Sequence, residues 1–252
     1  MDGDIESDPE GETAAARARE PIFNIPTVVV LLIGVCVGLH LLRLYGLSPD
    51  EDFELIVRAA FIPIRYSGQF GIDVYAFTSP LTYSFLHGSM LHLGVNMIWL
   101  AAFGTPLANR LGAPRFLLFW AATAVAAVAL HYGLHRLDPT PLIGASGAIS
   151  GMMGAAARFG FRISRETGRP SFGGPLLPVG YVLRLRPVVA FLAVWMVVNL
   201  ATGLFAIVPG AGPIAWEAHI GGFAAGFFGI GWFLAARRPP APPPERPEPD
   251  AA

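Results

Sequence analysis

The 252-residue chain is apolar and weakly charged, with 54% hydrophobic and only 14% charged residues, against about a quarter charged in an ordinary soluble domain. This balance argues against a soluble enzyme and favours a membrane protein. Since one span takes about 20 apolar residues, there is room for about six. All 17 basic residues are arginines spread along the chain, and the formal net charge is -1, so nucleic acid is not an expected partner. Cys36 is the only cysteine, which excludes an internal disulfide and a multi-thiolate metal site.

In chain order, the sequence begins with a polar, acidic stretch, residues 1–24, which lacks the basic region of a secretory signal and which we predict to be a disordered tail. Residues 25–236 follow as an all-α membrane bundle of six transmembrane helices. Residues 237–252 are proline-rich and predict a second disordered tail. The predicted spans are 27–45, 89–108, 115–134, 146–162, 187–208 and 215–236.

Arginine placement predicts the orientation, because short loops rich in Lys and Arg stay on the cytoplasmic side. With both termini inside, 13 arginines are cytoplasmic and 4 are outside, out of 17. We therefore predict a multi-pass integral protein with cytoplasmic termini, and the bacterial inner membrane as its location. The four outer arginines are Arg43, Arg58, Arg65 and Arg136, and the cytoplasmic ones are Arg17, Arg19, Arg110, Arg115, Arg158, Arg162, Arg165, Arg169, Arg184, Arg186, Arg237, Arg238 and Arg246.

The first outer connection, 46–88, is too long for a tight turn and too apolar for a free loop. Its Ser48-Pro49-Asp50-Glu51 run has the form of a helix start, with a capping serine, a proline at the first position and a glutamate that bonds back to the cap. The following DFELIVRAAFI alternates charged and aliphatic residues. We predict a long, partly helical outer loop lying on the membrane surface as a lid over the bundle.

Polar residues inside spans are costly in lipid and usually functional. His92 and Asn96 are four apart, hence on one helical face, near the start of the second segment; Ser146 opens the fourth, and His219 lies about one turn into the sixth. Under the arginine orientation these three segments all enter from the outer side, so the polar groups share one depth. A serine, a histidine and further hydrogen-bond donors are the inventory of nucleophilic acyl transfer.

Glycines on the fourth and sixth segments predict a close helix contact. Gly147 and Gly151 form one small-xxx-small pair, and Gly222 and Gly226 form another. Small residues let helix backbones approach closely in lipid. Such an approach would bring Ser146 within hydrogen-bonding distance of His219. Further glycines on the same helices are Gly154, Gly221 and Gly229.

Three blocks together resemble the signature motifs of rhomboid proteases, in the family's order: FLHGSMLHLGVNM at 85–97, GASG at 144–147 and AHIGGFAAG at 218–226. The resemblance extends over the predicted core, 25–236, but the Trp-Arg pair that many members carry in the first outer loop does not occur in 46–88. It implies an intramembrane serine endopeptidase that cuts transmembrane segments near their outer ends, without a cofactor or metal. The partners it implies are transmembrane protein substrates and the lipid bilayer; the oligomeric state is left open.

The resemblance also implies roles for individual residues. Ser146 and His219 form a catalytic dyad, and His92, Asn96 and the backbone N–H of Ser146 form the oxyanion site. The glycines of the last block match Gly222 and Gly226. Helix packing at the site is assigned to Gly144, Gly147, Gly151, Gly222 and Gly226.

Other polar residues have plainer interpretations. Ser150 is the alternative candidate for the nucleophile, but it lies one turn deeper than Ser146, and a role in helix packing is favoured for it. Asn199, midway along the fifth segment, predicts an interhelical hydrogen bond. Glu217 is expected to face the outer interface without orienting His219, and no metal is expected because the histidines are taken to lie on different helices without a carboxylate partner. His40 and His135 are expected at the interface, His131 as a buried polar group, His87 at the entrance or in water, and Cys36 in packing.

Two other function classes are compatible with a six-helix bundle. A non-catalytic rhomboid-like protein would bind and route membrane proteins, but its members lack the serine or the histidine, and both are present here. A small transporter or channel would need a polar path to both surfaces, yet the inner halves of the second and sixth segments offer few polar side chains. Proteolysis is therefore the favoured hypothesis.

Overall fold

The computed structural model describes residues 25–166, 168–205 and 215–234, with the side chains of residues 204 and 205 left aside. The predicted tails, 1–24 and 237–252, lie outside the described residues. The structure is mostly helical, with loops between the helices and one antiparallel pair of two-residue strands, β1 (Ile163–Ser164) and β2 (Ser171–Phe172). The helices are α1 (Thr27–Tyr45), α2 (Pro49–Ala59), α3 (Val74–Thr82), α4 (Met90–Trp99), α5 (Thr105–Leu111), α6 (Ala113–Leu134), α7 (Ser146–Arg158), α8 (Val179–Val182), α9 (Arg186–Phe205) and α10 (Trp216–Phe233).

Four helical stretches in the described part of the chain are long and apolar enough to cross a membrane: Thr27–Tyr45, Met90–Leu111, Ala113–Leu134 and Arg186–Gly203. The second joins α4 to α5 through a π-helical segment, Leu100–Gly104. Large apolar side chains on these helices point outward rather than into the bundle. Among them are Leu31, Ile98, Leu118, Val194 and Val197. The outer surface of the helices is therefore apolar, as contact with lipid requires.

The other two predicted spans correspond to α7 and α10, which form the centre of the bundle. All side chains of α7 from Gly147 to Ala157 are buried, and the helix packs between α6 and α10. With 13 residues, α7 is shorter than a full span. It ends at Arg158, before the predicted 162, because Gly160 and Phe161 both have positive φ angles (64° and 54°), which stop a right-handed helix.

The first outer connection contains the predicted capping box. The Ser48 backbone N–H donates to the Glu51 carboxylate at 2.8 Å, and Pro49 is the first residue of α2. The backbone and hydroxyl hydrogen bonds from Ser48 both lower the pKa of Glu51. Further along, Phe61 and Leu142 exchange backbone hydrogen bonds of 3.1 and 2.8 Å. The connection is thereby fixed to the loop that leads into α7.

Candidate active site

The turn before α7 determines where Ser146 lies. Gly144 has a φ of +133°, a conformation that favours glycine, and its N–H donates to the Tyr83 carbonyl at 3.0 Å. Ala145 then precedes the helix, and Ser146 is the first helical residue. The Ser146 hydroxyl is therefore at the mouth of α7, beside backbone N–H groups of the first turn that have no intrahelical acceptor.

Helices α7 and α10 touch backbone to backbone. Side chains beginning at Gly222 or Gly226 of α10 would overlap the carbonyl groups of Gly147 and Gly151 on α7. One turn deeper, a side chain at Gly154 would overlap the Phe223 carbonyl. Only glycine fits at these contacts, and they set the spacing between the helix that carries Ser146 and the helix that carries His219.

The glycines of α7 also face α6. A Cβ atom at Gly147 would lie 2.6 Å from the Ala127 Cβ, and one at Gly151 would overlap Thr123. Both contacts are closer than van der Waals packing allows. The α7 backbone is thus enclosed by α10 on one side and by α6 on the other.

Ser146 and His219 are joined by a hydrogen bond of 2.7 Å between the serine Oγ and the imidazole Nε2. The other ring nitrogen, Nδ1, lies 2.5 Å from the Asn199 Oδ1 on α9. The Asn199 Nδ2 donates to the Trp216 carbonyl at 3.2 Å, and since a carbonyl only accepts, this bond fixes which end of the amide faces His219. Oδ1 therefore accepts the Nδ1–H, and Nε2 is left with its lone pair toward the serine hydroxyl.

Asn199 forms the predicted interhelical hydrogen bond, but its partner His219 makes it part of the site, a role that the sequence does not predict. Among the α9 side chains that the structure describes, only Val188 and Asn199 are buried. A buried polar group on an apolar helix with few buried side chains is a signal of function. The sequence shows that Asn199 is a polar residue within an apolar segment. Only the packing of α9 against α10 identifies His219 as its hydrogen-bond partner.

His92 lies beside Ser146 across Gly144. A Cβ atom at Gly144 would be 3.0 Å from the His92 Nε2 and 3.5 Å from the Ser146 Oγ. The Gly88 N–H donates a long hydrogen bond, 3.5 Å, to the His92 Nδ1. A neutral ring that accepts at Nδ1 carries its proton on Nε2, so His92 presents a donor on the Ser146 side.

Asn96 is buried one turn further along α4, and its Nδ2 donates to the His92 carbonyl at 2.9 Å. This bond uses one of the two amide hydrogens. It lies within α4, so it does not join Asn96 to Ser146. The arrangement keeps Asn96 on the face of α4 that carries His92.

The structure differs from several expectations for the remaining polar residues. His40 is buried rather than interfacial, and its Nδ1 lies 3.1 Å from the His87 carbonyl. His87 is fully buried, which rules out its water-facing alternative. By contrast, Ser150, one turn deeper than Ser146, and Cys36 are both buried, which agrees with the packing roles predicted for them. His40 and His87 are enclosed together because α1 packs against residues 83–85.

The prediction that Glu217 faces the outer interface is wrong, because the residue is only 6% exposed. Its Oε1 lies 2.6 Å from the His135 Nε2 and its Oε2 lies 3.8 Å from the His131 Nδ1. His131 is in the last turn of α6 and His135 directly follows that helix, with the Glu217 carboxylate beside both, so the premise that the histidines lie on different helices without a carboxylate partner is wrong. The His219 Nδ1–H donates to the Asn199 Oδ1 and not to Glu217.

Comparison with known proteins identifies the family of the chain. The family description of the rhomboid domain matches residues 76–237, well over half of the chain and all three sequence blocks. Comparison with curated proteins gives no match. The helical bundle, its outward apolar faces and this match agree with one another. The chain therefore belongs to the rhomboid family, the family of intramembrane serine proteases.

Proposed function

We propose that this protein is an intramembrane serine endopeptidase that cleaves transmembrane segments of other membrane proteins near the extracytoplasmic face, with Ser146 as nucleophile and His219 as general base. The observation that carries this proposal is the 2.7 Å contact between the Ser146 Oγ and the His219 Nε2, with Asn199 on the opposite ring nitrogen. A serine hydroxyl is a weak nucleophile, and an imidazole with a lone pair toward it provides the base it needs.

The reaction follows from these contacts. The Ser146 Oγ attacks the scissile carbonyl carbon while the His219 Nε2 takes the hydroxyl proton. The tetrahedral intermediate then collapses as the C–N bond breaks, and the imidazolium gives its proton to the leaving amine. Water, deprotonated by the same imidazole, hydrolyses the acyl-serine and regenerates the hydroxyl. Serine, imidazole and water suffice for every step.

The developing oxyanion is stabilised by donors on two helices. The Ser146 backbone N–H belongs to the first turn of α7, where the helix dipole favours negative charge, and the His92 Nε2–H lies across Gly144 from the serine. Asn96, on the His92 face of α4, supplies a third donor in this proposal. Each such donor typically contributes on the order of 10²–10³ in rate. Asn199 is a positioning residue, since it acts through His219 by holding its tautomer and ring orientation.

The proposed topology has six spans and cytoplasmic termini. It is supported by the starts of three helices: His92 is in the first turn of α4, Ser146 begins α7 and His219 is in the first turn of α10. Arg110 and Arg158 lie at the far ends of α5 and α7, where the positive-inside rule puts the cytoplasm. A substrate helix has to unwind locally to expose its amide carbonyl, so helix-destabilising sites are the expected targets.

Single substitutions in liposomes test the proposal. The purified protein, reconstituted with a substrate whose transmembrane segment contains small and helix-breaking residues, is expected to cleave that segment near its outer end. Ser146→Ala and His219→Ala are each expected to lower cleavage by at least about 10⁴-fold, because the nucleophile and base act as a unit. Ser150→Ala is the matched control, one turn away on the same helix, and is expected to retain cleavage.

A serine-directed fluorophosphonate probe separates catalysis from binding. Labelling of the native protein that disappears in Ser146→Ala supports the proposal. Cleavage that persists in Ser146→Ala, or labelling that moves with Ser150, contradicts it. An unreactive protein that still captures the substrate segment would instead indicate the non-catalytic function.

A further inference from the structure

A second group of chemically active side chains lies beside the proposed site and has no part in the reaction above. His131 and His135, one turn apart near the end of α6, face Glu217 in the first turn of α10. Their ligand atoms all lie within 4.8 Å of one another. Glu217 is two residues before His219, so the group is attached directly to the helix that carries the base.

One atom of this group lacks a hydrogen bond. The His131 Nδ1 is buried and has no hydrogen-bond partner among the described residues. Its distance to the Glu217 Oε2, 3.8 Å, is too long for a hydrogen bond. His131 is only 6% exposed, and a buried nitrogen without a hydrogen-bond partner destabilises the folded state. A ligand between the nitrogen and the carboxylate would remove this destabilisation.

The spacing suits a metal ion. Tetrahedral Zn²⁺ binds imidazole nitrogen and carboxylate oxygen at about 2.0–2.2 Å, which puts neighbouring ligand atoms about 3.3 Å apart. The two measured separations, 2.6 Å for His135 to Glu217 and 3.8 Å for His131 to Glu217, fall on either side of that value. The two separations end on different oxygens of the Glu217 carboxylate, and small side-chain rotations would bring both closer to that value.

The donor set also selects the ion. Two imidazoles and one carboxylate are ligands for Zn²⁺ and its neighbours in the transition series, whereas Mg²⁺ and Ca²⁺ require mostly oxygen. We propose that His131, His135 and Glu217 form a binding site for a divalent transition cation of the Zn²⁺ class that joins α6 to α10 at the end of the bundle that holds the proposed dyad. The site is independent of the proteolytic proposal, since none of its three residues is assigned a step in the reaction.

Direct binding measurements test the site. The full-length protein, purified in detergent without a polyhistidine tag and stripped with chelator, is expected to take up one equivalent of Zn²⁺ by elemental analysis. Co²⁺ is expected to give the visible absorption of a tetrahedral site. Both metals are also expected to raise the thermal unfolding midpoint, because they bind the folded state selectively.

Three variants locate the bound ion. Glu217→Gln keeps the size of the side chain and a hydrogen bond to His135, but its amide is a poor metal ligand. His135→Asn removes an imidazole at a partly exposed position. Each variant is expected to weaken Zn²⁺ binding by about 100-fold or more. His219→Ala is the matched control on α10 and is expected to bind Zn²⁺ like the native protein. Unfolding midpoints without metal show that each variant is folded.

Three outcomes would overturn this inference. The native protein could bind no Zn²⁺ above background, in which case the three residues form only a hydrogen-bonded group. Glu217→Gln and His135→Asn could both bind like the native protein. Binding could disappear in His219→Ala and remain in Glu217→Gln, which would place the ion at the proposed dyad.

Discussion

The two sides of α10 are held in different ways. On the α7 side, Gly222 and Gly226 rest on the carbonyl groups of Gly147 and Gly151, so the contact is made by backbone. On the α9 side, contact is made by side chains: the Trp195 and Phe223 rings stack at 4.9 Å, and Asn199 bonds His219 and the Trp216 carbonyl. The same helix therefore has one rigid and one adaptable face.

This difference separates two requirements of the proposed chemistry. The distance between Ser146 and His219 depends on backbone contact, which has no rotamers to lose or change. The orientation of the imidazole depends on one amide from a helix of which only two described side chains, Val188 and Asn199, are buried. We therefore expect substitutions on the α7 side to affect fold and activity together, and substitutions on the α9 side to separate them.

The largest effect is expected from Gly226→Ala. The new methyl group would overlap a carbonyl of α7 that cannot rotate away, so the cost should reach or exceed the upper end of overpacking, about 3 kcal/mol. Thermal unfolding in detergent measures it, and cleavage should be lost in parallel. Gly34→Ala is the control, because a Cβ atom there meets nothing within 4 Å. Equal unfolding midpoints for the two variants would remove the distinction between the faces of α10.

A smaller effect, confined to catalysis, is expected from Asn199→Ala. Without the Oδ1 acceptor the imidazole loses its fixed tautomer and orientation, and misplacement of a catalytic group costs about 10²-fold in rate. We expect kcat to fall by that amount, with KM and the unfolding midpoint little changed. Asn199→Asp keeps an acceptor oxygen and should recover part of kcat. If both variants lost stability to the same degree as activity, Asn199 would be a packing residue.

The smallest effect is expected from Trp195→Leu, which keeps apolar bulk and removes the ring stacked on Phe223. Aromatic pairs contribute about 1 kcal/mol beyond their buried area, so a modest fall in the unfolding midpoint is predicted. Val197→Ala, on the exposed face of the same helix, should change stability by less than about 0.5 kcal/mol. A loss as large as that of Gly226→Ala would show that α9 is held as firmly as α7.

Local patterns in the sequence are sufficient to predict several features of the structure. The Ser48 capping box, the helical character of the bundle and the GASG start of α7 follow from interactions within a few residues. The family assignment likewise rests on short blocks whose order is visible without coordinates, and the match over 76–237 confirms it. The sequence does not predict how short α7 is, because the end of the helix depends on positive φ angles at Gly160 and at a non-glycine residue, Phe161.

The amino-acid sequence by itself determined which residues are costly to bury in an apolar chain, and hence that Ser146, His219, His92, Asn96, Asn199 and Glu217 need an explanation. It could not say which of them meet, because every pairing joins different helices far apart in the chain. Only the tertiary structure shows that His219 pairs with Asn199 and that Glu217 lies beside His131 and His135. The physical reason is that a helix fixes neighbours three and four residues apart, whereas contacts between helices depend on how their backbones pack.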